Sequence, residues 1–121
     1  MSTLPPPTKE VIRLVQMMGA EGALALIEWQ APARYYVPKS VGPDDPLAKA
    51  VGLDAARALV EARGGEAIMV PVAREWRILI YRSRGMSYAE IGRRLQCSQT
   101  TIWRRLSQHE LTAAQLDLFP T

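Results

Sequence analysis

The chain is predicted to be mostly α-helical: a helix–helix–strand unit present twice, followed by a three-helix domain. Three observations carry this class. Residues 85–106 place apolar side chains four apart on either side of a short polar break, the mark of two short amphipathic helices. Residues 11–71 match themselves when shifted by 33 positions. Two short runs, Arg34-Tyr35-Tyr36-Val37 and Glu66-Ala67-Ile68-Met69-Val70, are rich in strand-forming residues, and each is stopped by a proline, Pro38 and Pro71.

Taken in order, residues 1–8 read as a disordered arm because Pro5, Pro6 and Pro7 leave no apolar periodicity. Thr8 is placed to cap a helix over residues 9–18, with Val11, Ile12, Leu14, Val15 and Met18 on its apolar side. Gly19 interrupts it, and a second helix over residues 21–30 carries Leu24, Leu26, Ile27 and Trp29. Ala31-Pro32 ends that helix, and the first strand follows. The 33-residue shift then lays Leu14 on Leu47, Gly19 on Gly52, Ala23 on Ala56, Leu26 on Leu59, Glu28 on Glu61, Val37 on Val70 and Pro38 on Pro71. The link between the copies, residues 39–45, is polar with a Gly-Pro step and reads as loop; Gly64-Gly65 makes the turn into the second strand. Two lone strands must pair, within one chain or between two, since a single strand leaves its backbone groups unsatisfied. Residues 9–71 therefore form a duplicated region suited to dimerisation, with Leu26, Ile27, Leu59 and Val60 as its contact residues.

The second region spans residues 72–110. A support helix over residues 74–84 offers Trp76, Ile78, Leu79 and Ile80, and Gly85 ends it. Ser87 caps a helix from Tyr88 to Leu95, with Ile91 and Leu95 four apart; Gln96-Cys97-Ser98 forms a turn; Ser98 caps a helix over residues 99–106, with Ile102 and Leu106 four apart. Gly92 faces inward, where a small residue admits a close crossing, and Gln96 stands where a glycine is usual, so it is expected to take positive φ. This is the pattern of a helix-turn-helix, whose second helix enters the major groove of DNA. Ser98, Gln99, Thr100, Trp103 and Arg104 fall on or near its outer face, with side chains suited to adenine, guanine and thymine-methyl contacts. Arg93, Arg94 and Arg105 are suited to phosphates.

Charge follows the same division. Of the net +3, residues 1–71 carry −1 and residues 72–121 carry +4, the latter through eight arginines against four carboxylates. A basic half coincident with the helix-turn-helix is the footprint nucleic acid requires, and arginine is the better cation for bidentate phosphate and guanine contacts.

Two segments, VGLDAARALVEARGGEAIMVP at Val51 to Pro71 and REWRILIYRSRGMSYAEIGRRLQCSQTTIWRRL at Arg74 to Leu106, resemble the Mor/C family, the middle-operon regulators of Mu-like phages. The resemblance implies a small dimeric transcription activator of phage or prophage origin, with RNA polymerase as a partner. It also implies a helix–helix–strand dimerisation unit whose strands, here residues 66–70, pair across two subunits, and a recognition helix that reads DNA with Gln99, Thr100, Trp103 and Arg104. The chain departs from that pattern in its extra copy at residues 11–38, which leaves two geometries open: strands paired between subunits, or the first copy replacing the partner's unit inside one chain.

The tail, residues 111–121, contains Gln115-Leu116-Asp117-Leu118-Phe119, which resembles the pentapeptide by which bacterial polymerases and repair proteins dock on the β sliding clamp. Leu116, Leu118 and Phe119 would be anchors and Gln115 a hydrogen-bonding group, in an extended peptide. The reading that competes with activation is thus a replication-associated adaptor. An enzyme is not expected: there is no phosphate loop, nucleophile elbow or HExxH, and no cofactor or metal is implied, since the single histidine, His109, lies near a helix end without metal-spaced neighbours. Asp44-Asp45 reads as solvated loop, and Cys97 as packing in the turn. One cysteine, no membrane-length apolar run and no signal peptide point to the bacterial cytosol or nucleoid, with duplex DNA as partner and no membrane.

Overall fold

The structure, a computed structural model, describes the backbone of residues 4–117 and side chains through residue 108. The chain divides into two compact units, Met1–Ala73 and Arg74–Thr121. No helix among the described residues is long and apolar enough to cross a membrane.

In the first unit, residues 4–8 run without regular structure, with Leu4, Pro5, Pro7 and Thr8 half-buried; residues 1–3 of the expected arm lie outside the described residues. A single 3₁₀ turn, Lys9–Val11, leads into α1 (Ile12–Gln30). Thr8 does stand at the start of this turn, but its hydroxyl caps nothing. It is the Thr8 carbonyl that accepts from the Val11 amide at 3.1 Å, and the buried Thr8 Oγ1 has no hydrogen-bond partner. Gly19 breaks the helical geometry of α1 with φ 81 and ψ 161, a conformation closed to residues with a Cβ. β1 (Ala33–Tyr36) follows, then α2 (Pro46–Val51), α3 (Leu53–Arg63) and β2 (Ala67–Val70). Pro46 opens α2, where its missing N–H costs nothing. The loop before it is closed by the Asp45 carboxylate, which accepts from the Gly42 amide at 2.6 Å, so one of the two loop aspartates has a structural task.

The duplication is present in three dimensions. Gly52 breaks the second copy with φ 92 and ψ 150, nearly the angles of Gly19. The equivalent pairs Leu14 and Leu47, Ala23 and Ala56, Leu26 and Leu59, and Val37 and Val70 are all buried. β1 and β2 pair antiparallel with Tyr35 opposite Ile68, two residues that the 33-residue shift equates; Arg34 opposite Met69 and Tyr36 opposite Ala67 are likewise exchanged by it. That is the self-complementary register of a two-fold interface, made here inside one polypeptide. The helices obey the same symmetry. α1 packs on α3, and a Cβ added at Gly22 would lie 2.6 Å from the Cβ of Ala55, its own counterpart.

This pairing corrects the expectation of a strand shared between subunits. The partner of residues 66–70 is the chain's own first strand, and Leu26, Ile27 and Leu59, expected to contact a second copy, are fully buried within the unit. The backbone groups of one short strand find a tethered copy at high effective concentration before they find another molecule. Two apolar residues placed on the helix's apolar side are partly in water instead: Ile12, and Trp29, which is 40% exposed and meets Tyr35 edge-on with ring centroids 5.6 Å apart. The outer face of the sheet carries Arg34, Tyr36, Ala67 and Met69, all exposed.

The second unit consists of α4 (Arg74–Ser83), α5 (Tyr88–Leu95) and α6 (Gln99–Asp117). α4 packs on both other helices, and α5 packs on α6. α6 is longer than the sequence reading allowed, since it continues past Leu106 to Asp117. Residues 107–117, with Ala113, Ala114 and Leu116 among them, contain no glycine or proline, so nothing in their sequence breaks the helix.

Candidate nucleic-acid interface

Four of the six ends of these helices are set by local interactions. α4 stops at Gly85, φ 83, where the Gly85 amide donates to the Arg82 carbonyl and the Met86 amide to the Tyr81 carbonyl, a Schellman closure. Ser87 Oγ accepts from the Glu90 amide at 3.2 Å, and the Ser87 hydroxyl donates to Glu90 Oε1 at 3.1 Å, so the S-x-x-E spacing acts as a cap for α5. α5 ends at Gln96 in the left-handed conformation, φ 55 and ψ 46, as its place in the turn requires. Ser98 Oγ accepts from the Thr101 amide at 3.1 Å and lies 2.9 Å from Thr101 Oγ1, capping α6.

The crossing of α5 and α6 rests on Gly92. A Cβ there would lie 2.7 Å from the Cys97 carbonyl oxygen and 3.4 Å from Ile102 Cδ1. The Cys97 amide in turn donates to the Gly92 carbonyl at 3.0 Å. The turn therefore uses the backbone of residue 97, while the Cys97 side chain is half-buried rather than a full core plug. Ile91, Leu95, Ile102 and Leu106 are buried, each large aliphatic contributing about 1.5–3 kcal/mol through burial. Trp76, Ile78, Ile80 and Tyr81 of α4 are buried with them, while Leu79 is only half-buried.

With that core fixed, the outward positions of α6 follow. Ser98, Gln99, Thr100, Trp103, Arg104 and Arg105 are exposed, as are Arg93 and Arg94 on α5. Trp103 is 59% exposed although it directly follows the buried Ile102. An open cleft of about 470 Å³ lies at the turn, lined by Ala89, Gly92, Arg93, Gln96, Cys97, Ser98 and Gln99. From residue 91 to residue 108 the chain contains four arginines and no carboxylate, with Glu90 just before them, so this face carries net positive charge.

The sequence reading missed one feature that positions the basic residues. Arg77 is 8% exposed, and its Nε donates to Tyr81 Oη at 3.0 Å. The guanidinium carbons of Arg77 and Arg94 lie 5.5 and 5.1 Å from the centroid of the Tyr81 ring, and that of Arg82 lies 4.9 Å from Tyr88. Arg94 thus rests against an α4 aromatic while its side chain stays exposed. Arg77 and Tyr81 at i, i+4 were visible in the sequence; the approach of Arg94 from another helix was not. The tail motif lies almost wholly beyond this site. Gln115, Leu116 and Asp117 fall in the last turn of α6 rather than in an extended peptide, and Leu118 and Phe119 lie outside the described residues, as does the side chain of His109.

Residues 70–115 match the family model of a homeodomain-like domain. Comparison with curated proteins and with solved structures gives no significant match. Over its second unit the chain is similar to homeodomain-like domains, and together with the capped α5–turn–α6 geometry this supports a DNA-binding protein built on a helix-turn-helix.

Proposed function

We propose that the chain is a sequence-specific duplex-DNA-binding protein that acts as a transcription activator of the Mor type in a phage or prophage, with α6 as recognition helix. The observation that carries this is the outer face of α6: Gln99, Thr100, Trp103 and Arg104 exposed beside Ser98, on a helix whose opposite face is anchored by Ile102 and Leu106. In this reading Arg104 and Gln99 read base edges, and Arg93 and Arg105 neutralise phosphates. The order of a helix–helix–strand unit followed by a helix-turn-helix supports the regulator class, and RNA polymerase is the partner through which an activator acts. Since one helix-turn-helix reads one half-site, we retain a homodimer on DNA. With Leu26, Ile27 and Leu59 used within the chain, its contact is assigned to the outer sheet face, where Tyr36 is 59% and Met69 72% exposed.

Genome-wide mapping of bound DNA tests the biological role, with sites at promoters expected. Titration of purified duplexes tests the face. Arg104→Ala should cost about 1–3 kcal/mol on the specific site and relax one base position. Arg93→Ala should weaken every sequence alike and lower the salt slope by about one ion. Equal losses on specific and random duplex for both variants would show that the recognition face is misassigned.

A second reading rests on the tail sequence Gln115-Leu116-Asp117-Leu118-Phe119: an adaptor that docks on the β sliding clamp. The last turn of α6 would have to unwind to offer these residues as an extended peptide. Calorimetric titration of purified clamp with the full chain, and with Gln115→Ala/Phe119→Ala, decides it. Equal binding by the two, or none at about 100 µM, removes the adaptor.

A further inference from the structure

We propose that Trp103, with Thr100 beside it, is a methyl reader: it takes the C5-methyl group of a thymine in the major groove and makes that base a specificity-determining position. The proposal rests on the DNA-binding reading and names the chemistry of one contact within it. Trp103 sits one residue beyond Ile102, which is fully buried, so its indole is turned away from the unit's core and is 59% exposed. Thr100, three residues earlier, and Arg104, the next residue, are exposed on the same side. An indole is a large apolar plate with one donor and no acceptor, and left in water it lacks a partner for most of its surface. The charge around it specifies what that partner is. The stretch from residue 91 to residue 108 holds Arg93, Arg94, Arg104 and Arg105 and no acidic side chain, with Glu90 just before it, and this net positive charge favours a polyanion over a second copy of the same basic unit as the molecule that covers Trp103. On the edges of unmodified bases in the major groove the thymine methyl is the one bulky apolar group, well beyond the C5–H of cytosine. For an apolar plate flanked by a threonine methyl and an arginine it is therefore the largest apolar target among the base edges.

The test uses the full chain and chemically altered duplexes. Bound sequences are first selected from a random duplex pool, and each thymine of the selected site is then replaced singly by deoxyuridine, which lacks only the C5-methyl. At one thymine in the site, loss of the methyl should weaken binding about fourfold, the worth of one buried methyl-sized group. Trp103→Ala should bind the thymine and uracil duplexes equally at that position, while the remaining positions keep the wild-type response. Trp103→Leu, which keeps an apolar side chain, should retain part of the methyl preference, and unchanged thermal unfolding of both variants shows that the fold is not at issue, as the exposure of Trp103 predicts. If every deoxyuridine substitution is neutral for the wild type, or if Trp103→Ala keeps the methyl preference, the inference is wrong while DNA binding stands. If no duplex is selected at all, the DNA-binding reading itself fails and takes the inference with it. A wild-type dimer that Trp103→Ala converts to monomer without DNA would assign the indole to self-association and overturn the proposal.

Discussion

Gln96 holds φ 55 and ψ 46 at the point where α5 must turn into α6. For a residue with a Cβ the left-handed region costs about 1–2 kcal/mol, and glycine recovers it less the roughly 0.5–1 kcal/mol of extra chain entropy it loses on folding. Gln96→Gly should therefore stabilise the second unit by about 0.5–1 kcal/mol in urea denaturation; a destabilised variant would mean that the Gln96 side chain makes a contact worth more than the strain. Four residues earlier the constraint is opposite. Gly92→Ala puts a methyl 2.7 Å from the Cys97 carbonyl, a backbone atom that cannot retreat without opening the turn, and should cost about 1–3 kcal/mol. In the first unit Tyr35 lies at the centre of the two-fold register, against Trp29. Burial raises its phenol pKa above the ordinary 10.0. A raised acid holds its proton longer folded than unfolded, so its contribution is complete below pH 10 and is lost as pH rises from 10 through the raised value. Urea midpoints measured at pH 9 and 10.5 should fall further for the wild type than for Tyr35→Phe; equal falls would place the alkaline loss elsewhere.

At the scale of elements, α4 and α5 of the basic unit are short, and short helices owe their existence to their ends and to one buried face. α5 has eight residues and is bounded by the Ser87 cap and the Gln96 turn. α6 starts on Ser98, whose hydroxyl serves both the Thr101 amide and the Thr101 hydroxyl. Ser98→Ala should cost about 1 kcal/mol and Ser98→Asp much less, because an aspartate accepts the same amide bond and favours the helix N-terminus. If alanine and aspartate behave alike, the cap is not what starts α6. The same change moves Gln99 and Thr100, so it should also lower DNA affinity, and comparison of the two variants separates lost positioning from an added negative charge. Arg94 belongs to this scale as well. Its seat on the Tyr81 ring links α5 to α4, so its removal is expected to loosen the unit as well as lower its charge.

For the whole molecule the consequence of duplication is that one chain contains both halves of what would otherwise be an interface. A two-stranded sheet is marginal by itself; here α1 and α3 pack together, with Leu26, Ile27 and Leu59 fully buried, and support the paired strands. Leu59→Ala should then lower the stability of the first unit by about 2–5 kcal/mol, and by the same amount at every protein concentration, because the contact it removes is within the chain. A loss that grows as the protein is diluted would instead place Leu59 in a contact between chains. Sedimentation of Met69→Glu examines the remaining candidate for assembly, the outer sheet face, and is expected to abolish any dimer the wild type forms.

What the sequence determined by itself is whatever depends on neighbours along the chain. The 33-residue repeat, the breaks at Gly19 and Gly52, the Ser87 and Ser98 caps, the positive φ of Gln96, the small residue at Gly92 and the buried Ile91, Leu95, Ile102 and Leu106 all follow from i, i+3 and i, i+4 spacing and from which residues tolerate a left-handed backbone. The exposed faces of α6 were legible for the same reason. Three matters needed the tertiary structure. Periodicity says that a strand wants a partner but not whose strand it will be, and the fold gave β2 to β1 of the same chain. It marks Trp29 as apolar but cannot say that its neighbours leave it partly in water. And it treats every arginine of the basic half alike, whereas Arg77, buried, and Arg94, exposed, converge on the one ring of Tyr81. The charge of an arginine is a property of its own side chain; which aromatic ring it rests on is decided by where another helix, far along the chain, comes to pack.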